Sequence, residues 1–272
     1  VKTISAIILS VFFMCCSAFA QTVLISDIDD TIKASHIRSR SQSVAFAYAT
    51  QNSIKGMAEF YNDLLENISD LNFVYLSSAP KRLMMKSHKK FLDSNKFPDG
   101  QLILRKSLFE SSFDHKIENI EKVIEELKPK KLILIGDNGE SDSEIFEFVY
   151  EKYADSIEIH QFIRRTYSAP TSDGSIEQVE FVTPVEICLS LEQAGLAVCP
   201  ESYLVSVFLE VSSEIDVENF GSFYFHPYMD CYGYEWPLED FSLPVLGIVK
   251  DLRDLLLEKC SQGFPLRQSS LK

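Results

Sequence analysis

Apolar and polar positions along this chain follow two distinct rhythms. Short, nearly continuous apolar runs recur at TVLIS (22–26), NFVYL (72–76), QLILR (101–105), KLILIG (131–136) and SIEIHQFI (156–163). Between them, GMAEFYNDLLENI (56–68), KRLMMKSHKKFL (81–92), HKIENIEKVIEEL (115–127) and SEIFEFVYEKY (143–153) place apolar residues every three or four positions. The first rhythm predicts strands and the second predicts amphipathic helices. A strand without a polar face must be covered on both sides, as in a parallel sheet flanked by helices. The predicted fold class is α/β, a doubly wound and mainly parallel sheet. Its functional groups are expected at the carboxyl ends of the strands.

Four stretches stand outside this alternation. Residues 33–53 form a polar loop rich in Ser and Ala, long enough to be a small lid. Beyond residue 166 a turn-rich break, SAPTSDGS (168–175), precedes a strand and a helix in EFVTPVEICLSLEQAGL, entered through a Thr183–Pro184 cap. The stretch 200–272 holds the apolar YLVSVFLEV, an aromatic segment and the amphipathic VLGIVKDLRDLLLEK; it either packs on the core or reaches the substrate. At the other end, Lys2, an apolar run over 4–16 and Ala18-Phe19-Ala20 have the pattern of a cleaved signal peptide, with a retained anchor or buried helix as the alternative. The expected division is a leader at 1–20, the α/β domain at 21–198 and a C-terminal extension at 199–272.

Charge and cysteine content narrow the setting. A formal charge of −14 repels nucleic acid at long range and argues against a polynucleotide substrate. A leader implies a secreted or periplasmic protein, where Cys188, Cys199, Cys231 and Cys260 could form two disulfides. The neighbouring pairs Cys188–Cys199 and Cys231–Cys260 are the easiest, and buried free thiols are the alternative.

The chemistry begins where the first strand ends, in SDIDDTIK. A calcium loop needs Asp or Asn and then Gly where this chain has Thr31 and Ile32, so that reading fails. A solvated acidic turn would suffice for the motif alone. The motif is not alone: FVYLSS ends the next strand at Ser77 and Ser78, Lys116 opens a helix, and LILIGDNGESD places Asp137 and Asp142 after a third strand. In phosphoryl transfer Asp27 would attack phosphorus, and Asp29 would protonate the leaving alkoxide and then deprotonate water. Lys116 would offset the charge of the nucleophile and transition state, Ser77 would hold a phosphoryl oxygen, and Thr31 would fix the loop. Mg²⁺ would lie between Asp27, Asp137 and the Asp29 backbone carbonyl, with Asp142 behind Asp137 directly or through water. Asp30 reads as structural, and Glu140 and Glu144 as outer ligands or helix-start acids.

These four stretches, SDIDDTIK, YLSSAP, HK and GDNGESD, resemble the motifs of haloacid dehalogenase-type phosphatases. GMAEFYNDL, FLDSNKFPDGQLILR and IGDNGESDSEIFEFVYEKYADSIEIHQFIRR narrow the resemblance to the catalytic domain of phosphatidate phosphatases of the actin-patch-protein type, over residues 23–165. The resemblance implies Asp27 as nucleophile, Asp29 as acid/base, Ser77 and Lys116 as stabilisers, and Asp137 with Asp142 at Mg²⁺. Ala79, Lys81 and Asn138 depart from the family pattern. The implied substrate is phosphatidate or a similar lipid phosphate, with peripheral membrane contact. Hydrolysis of soluble monoesters, or a non-catalytic lipid- or cation-binding module, are the competing readings. Lys81, Arg82, Lys86, Lys89 and Lys90 crowd one helix, and His36, Lys33, Arg38 and Arg40 follow the nucleophile. Either group reads as an anion-steering patch, with Thr31, Ser78 and Lys81 as substrate contacts, or as a solvated face.

Overall fold

The computed structural model describes residues 21–35, 48–107, 109–167, 178–213, 234, 236 and 246–261. Six strands, β1 (Thr22–Ser26), β2 (Leu71–Pro80), β3 (Gln101–Arg105), β4 (Lys131–Asp137), β5 (Glu158–Arg164) and β6 (Val179–Phe181), form one parallel sheet in the order β3-β2-β1-β4-β5-β6. The connecting helices are α1 (Met57–Asn67), α2 (Lys81–Ser94), α3 (Ser112–Leu127), α4 (Asp142–Tyr153) and α5 (Pro184–Gln193). The order reverses direction between β1 and β4, so a crevice opens at their carboxyl ends.

Alternation along the strands divides the core in two. On one side Val23, Ile25, Leu132 and Leu134 pack with Ile120, Val123 and Ile124 of α3 and with Ile145, Phe146 and Val149 of α4. On the other, Leu24, Ile133, Ile135 and Phe162 meet α1, α2 and α5. The apolar stretch after Pro200 is a helix, α6 (Glu201–Ser213), and it joins this second cluster through Tyr203, Leu204, Val207 and Val211. A last helix, α7 (Leu246–Ser261), adds Val249, Leu252 and Leu256. The described part of the extension therefore packs on the core.

Local signals explain several boundaries. Thr183 and Glu186 form a capping box at the start of α5, with Pro184 in the first turn. Cys188 and Cys199 are joined as a disulfide, linking α5 to the segment before α6. The 33–53 loop leaves a stem in which the Ala34 amide donates to the Asn52 carbonyl at 2.9 Å and Ile54 to Ile32 at 2.9 Å. The body of that loop, with His36, Arg38 and Arg40, the leader at 1–20 and the Cys231–Cys260 pairing lie outside the described residues.

Candidate active site

The chain does not remain extended after β1. Ile32 and Lys33 donate their amides to the Ile28 carbonyl, and Asp30 takes a left-handed φ of 62°. That conformation is uncommon for a non-glycine residue, and Asp tolerates it better than most. Tyr167 Oη donates to Asp30 Oδ2 at 2.7 Å, the Ser35 amide donates to Oδ1 at 2.7 Å, and Arg164 Nη1 donates to the Asp30 carbonyl at 2.6 Å. The Asp27 and Asp29 carboxylates line the same cavity and still repel one another. Each faces a different set of partners.

Asp27 joins the buried half of the site. Because β1 and β4 are neighbours with Ser26 opposite Ile135, Asp27 and Asp137 leave the sheet side by side. Lys116 Nζ donates to Asp27 Oδ1 at 2.9 Å and also bonds Asp142. Thr31 Oγ1 lies 3.0 Å from Asp27 Oδ2 and 3.4 Å from Asp137 Oδ2. A Cβ on Gly136 would come within 2.5 Å of the Asp142 carboxylate, so only glycine lets Asp142 close on the end of β4. Ligand oxygens of Asp27, Asp137 and Asp142 all lie within 4.8 Å of one another.

The charge balance of this cluster favours a cation. Burial lifts the Asp27 carboxyl well above the ordinary carboxylate range; Asp142, Asp29 and Glu140 add to the rise and Lys116 opposes it. Asp137 is likewise raised well above that range, first by burial and then by Asp142, Asp27 and Asp30. Lys116 is held above its usual range, its burial outweighed by Asp142, Asp27 and Glu140. Three buried carboxyl groups sharing one ammonium resist full ionisation without further positive charge, and their hard oxygen donors suit a divalent cation.

Asp29 belongs to the other half. Ser77 Oγ donates to its Oδ2 at 3.1 Å, Ser35 Oγ donates to Oδ1 at 2.6 Å, and His88 Nε2 lies 3.2 Å from Oδ2. Burial raises the Asp29 carboxyl, but the His88 hydrogen bond and charge, Lys33 and Ser35 outweigh it and hold it below the usual range. A cavity of about 530 Å³ opens over both halves, floored by Asp27, Asp29, Ser77, Ser78, Arg105, Ser112 and Glu140. Its other wall is apolar: Tyr48, Ala79, Pro80, Leu83 and Met84. A register shift in the β2–β3 pairing between Ser77 and Pro80 turns this stretch toward the opening.

The structure places the expected residues as follows. The Asp29 carboxylate is engaged by Ser77, Ser35 and His88, and the acidic trio comprises Asp27, Asp137 and Asp142; the metal ligand expected from Asp29 is its backbone carbonyl. Thr31, expected to fix the loop and contact substrate, is fully buried, does not line the cavity and bonds Asp27 and Asp137. Lys81 is exposed and does not line the cavity, because α2 turns it outward; Ser78 does line it, beside Ser112. Lys33 is neither a solvated nor a steering cation. It is buried against the Phe91 ring, and burial pulls its ammonium below the usual range despite Asp29 and Asp30. Glu140 borders the cavity, whereas Glu144 is exposed. Sequence reasoning missed His88 and Arg105. His88 lies at the i+4 position from Met84 on the buried face of α2, the one cue available, and Arg105 ends β3 beside the opening.

Aspartates ending adjacent parallel strands, with a buried lysine from α3 between them, define a haloacid dehalogenase-like domain. Comparison narrows this further. The profile of the catalytic domain of phosphatidate phosphatase APP1 matches residues 22–165, more than half of the chain, and the chain belongs to that family. It is 28% identical over 180 residues to phosphatidate phosphatase APP1 of Saccharomyces cerevisiae, covering 62% of this chain and 30% of that protein. It is 27% identical over 133 residues to the uncharacterised protein C29B5.04c of Schizosaccharomyces pombe, covering 45% and 22%. The chain thus spans less than a third of the length of these curated relatives. A chain of the solved Pnkp1/Rnl/Hen1 complex is similar at a TM-score of 0.38 and 12% identity, over 54% of this chain and 47% of that one.

Proposed function

We propose that this chain hydrolyses phosphate monoesters, with phosphatidate or a similar lipid phosphate as substrate and diacylglycerol and phosphate as products. The observation that carries the reading is the Asp27 carboxylate, which faces the cavity while Lys116 and Thr31 hold it in place. In this reading Asp27 Oδ attacks phosphorus in line and the P–O bond to the alkoxide breaks, leaving an aspartyl-phosphate. Asp29 gives the alkoxide its proton; the negative charge of the entering phosphate raises the Asp29 carboxyl from its lowered value and lets it carry that proton. Asp29 then takes a proton from water as water displaces Asp27 from phosphorus. Mg²⁺ held by Asp27, Asp137 and Asp142 would supply charge neutralisation for the phosphoryl oxygens. Ser77 and Arg105 donate from the cavity wall, and Tyr48, Leu83 and Met84 offer apolar surface to an acyl chain.

The test is phosphate release from dispersed phosphatidate by purified protein with Mg²⁺, beside a panel of soluble monoesters and the Asp27→Asn protein. Release should stop on chelation and fall at least about a thousandfold in Asp27→Asn. Turnover of soluble esters alone would overturn the lipid substrate and keep the hydrolase. Unchanged turnover by Asp27→Asn would remove the nucleophile.

A further inference from the structure

Helix α2 has two faces with different partners. Met84, His88, Phe91 and Leu92 are buried, whereas Arg82, Lys86, Lys89 and Lys90 are exposed at the spacing of a single outward face. With exposed Lys81, that makes five cations within a fourteen-residue helix, in a chain whose formal charge is −14. Among the described residues none of the five is paired with an acid, and Asp93 is the helix's one carboxylate. The same helix borders the cavity: Pro80, Leu83 and Met84 line it. Leu83 is 58% exposed and Tyr48, across the lip, is 63% exposed.

We propose that the outward face of α2 docks on an anionic lipid bilayer, with Leu83 and Tyr48 meeting the acyl region at the cavity mouth. This rests on the lipid-phosphate reading above and says which surface brings the site to its substrate. Charge complementarity selects the occupant. Arg82, Lys86, Lys89 and Lys90 lie in a row about 12 Å long, set beside an apolar lip, and such a row matches a planar anionic surface. A large apolar side chain exposed at the edge of a cationic face is the pattern of a helix lying at a membrane interface. Docked this way, the cavity opens toward headgroups, so a lipid phosphate reaches Asp27 without leaving the membrane.

The experiment is sedimentation of the full chain with phosphatidylcholine vesicles, with and without phosphatidylserine. Phosphatidylserine is a phosphodiester, so its capture does not report on a monoester site. Protein should sediment with the mixed vesicles and not with phosphatidylcholine alone, and added salt should release it. The variant Lys86→Gln, Lys89→Gln, Lys90→Gln should lose on the order of a hundredfold in partitioning, since each cation near an anionic surface counts for roughly a factor of five. Its turnover of a soluble monoester should match the parent, because none of the three residues lines the cavity. Equal sedimentation of parent and variant overturns the proposal, as does binding of soluble polyglutamate in place of vesicles. If vesicle binding depends on the three lysines but no ester is hydrolysed, the hydrolase reading falls and the docking surface stands. If esters are hydrolysed without vesicle binding, only the docking surface falls.

Discussion

His88 shows how much one buried side chain controls here. Its Nε2 lies 3.2 Å from Asp29 Oδ2 and 3.4 Å from Ser77 Oγ, while its Nδ1 has no hydrogen-bond partner among the described residues. The interaction lowers the Asp29 carboxyl, so removing the imidazole should raise it. If Asp29 acts as the general acid, activity is lost as pH rises through its pKa. The alkaline limb of kcat/KM in His88→Ala should therefore move to higher pH, and His88→Gln, which keeps a donor, should move it less. A pH-rate profile of both variants checks this. Asp29→Ala should lose roughly 10²- to 10⁴-fold in kcat, the usual worth of a placed acid or base. Ser77 and Asp29 could be picked out by position after a strand. The imidazole that couples them could not, because nothing in KRLMMKSHKKFL distinguishes a histidine under the site from one packed elsewhere.

At the scale of elements, the junction between β4 and α4 is the most constrained. A methyl on Gly136 would sit 2.5 Å from Asp142 Oδ2 and 2.7 Å from Asp142 Cβ. Gly136→Ala should push α4 outward, cost about 1–3 kcal/mol of stability as an overpacked site, and weaken Mg²⁺ binding in calorimetry. The disulfide between Cys188 and Cys199, eleven residues apart, closes a short loop between α5 and α6. Cys188→Ser with Cys199→Ser should lower stability in urea unfolding by about 2–3 kcal/mol. Most elements were visible from periodicity, down to the Thr183 cap, but the helix α6 was legible only as an apolar stretch. The turn at Asp30 was not: its left-handed backbone depends on Arg164 and Tyr167, more than a hundred residues away.

For the molecule as a whole, the acidic cluster should make stability depend on both pH and metal. Asp27 and Asp137 are raised above their ordinary value of 3.8, so the native state binds more protons than the unfolded one over a window opening near that value. There, stability of the metal-free protein falls as pH rises toward the raised values. A divalent cation binding the ionised form would reverse the trend. At a hundredfold excess over Kd it should contribute about 2.7 kcal/mol, raising Tm by roughly 5–10 °C. Melting curves at several pH values, with Mg²⁺ and with chelator, measure it; a Tm unmoved by Mg²⁺ at neutral pH would count against the metal site.

The apolar runs alone established the order of strands and helices and put Asp27, Ser77 and Asp137 at strand ends, because burial on both faces of a parallel sheet is written locally in each segment. The three-dimensional packing decided what those groups touch. It gave Asp27 and Asp29 different partners, withdrew Thr31 and Lys33 from solvent, turned Lys81 outward, set His88 behind Asp29 and Ser77, brought Arg105 to the cavity and seated α6 and α7 on the core. Hydrogen bonds and charge interactions act over a few ångströms in space, whatever the separation along the chain, and no local pattern encodes which distant residue will supply the partner.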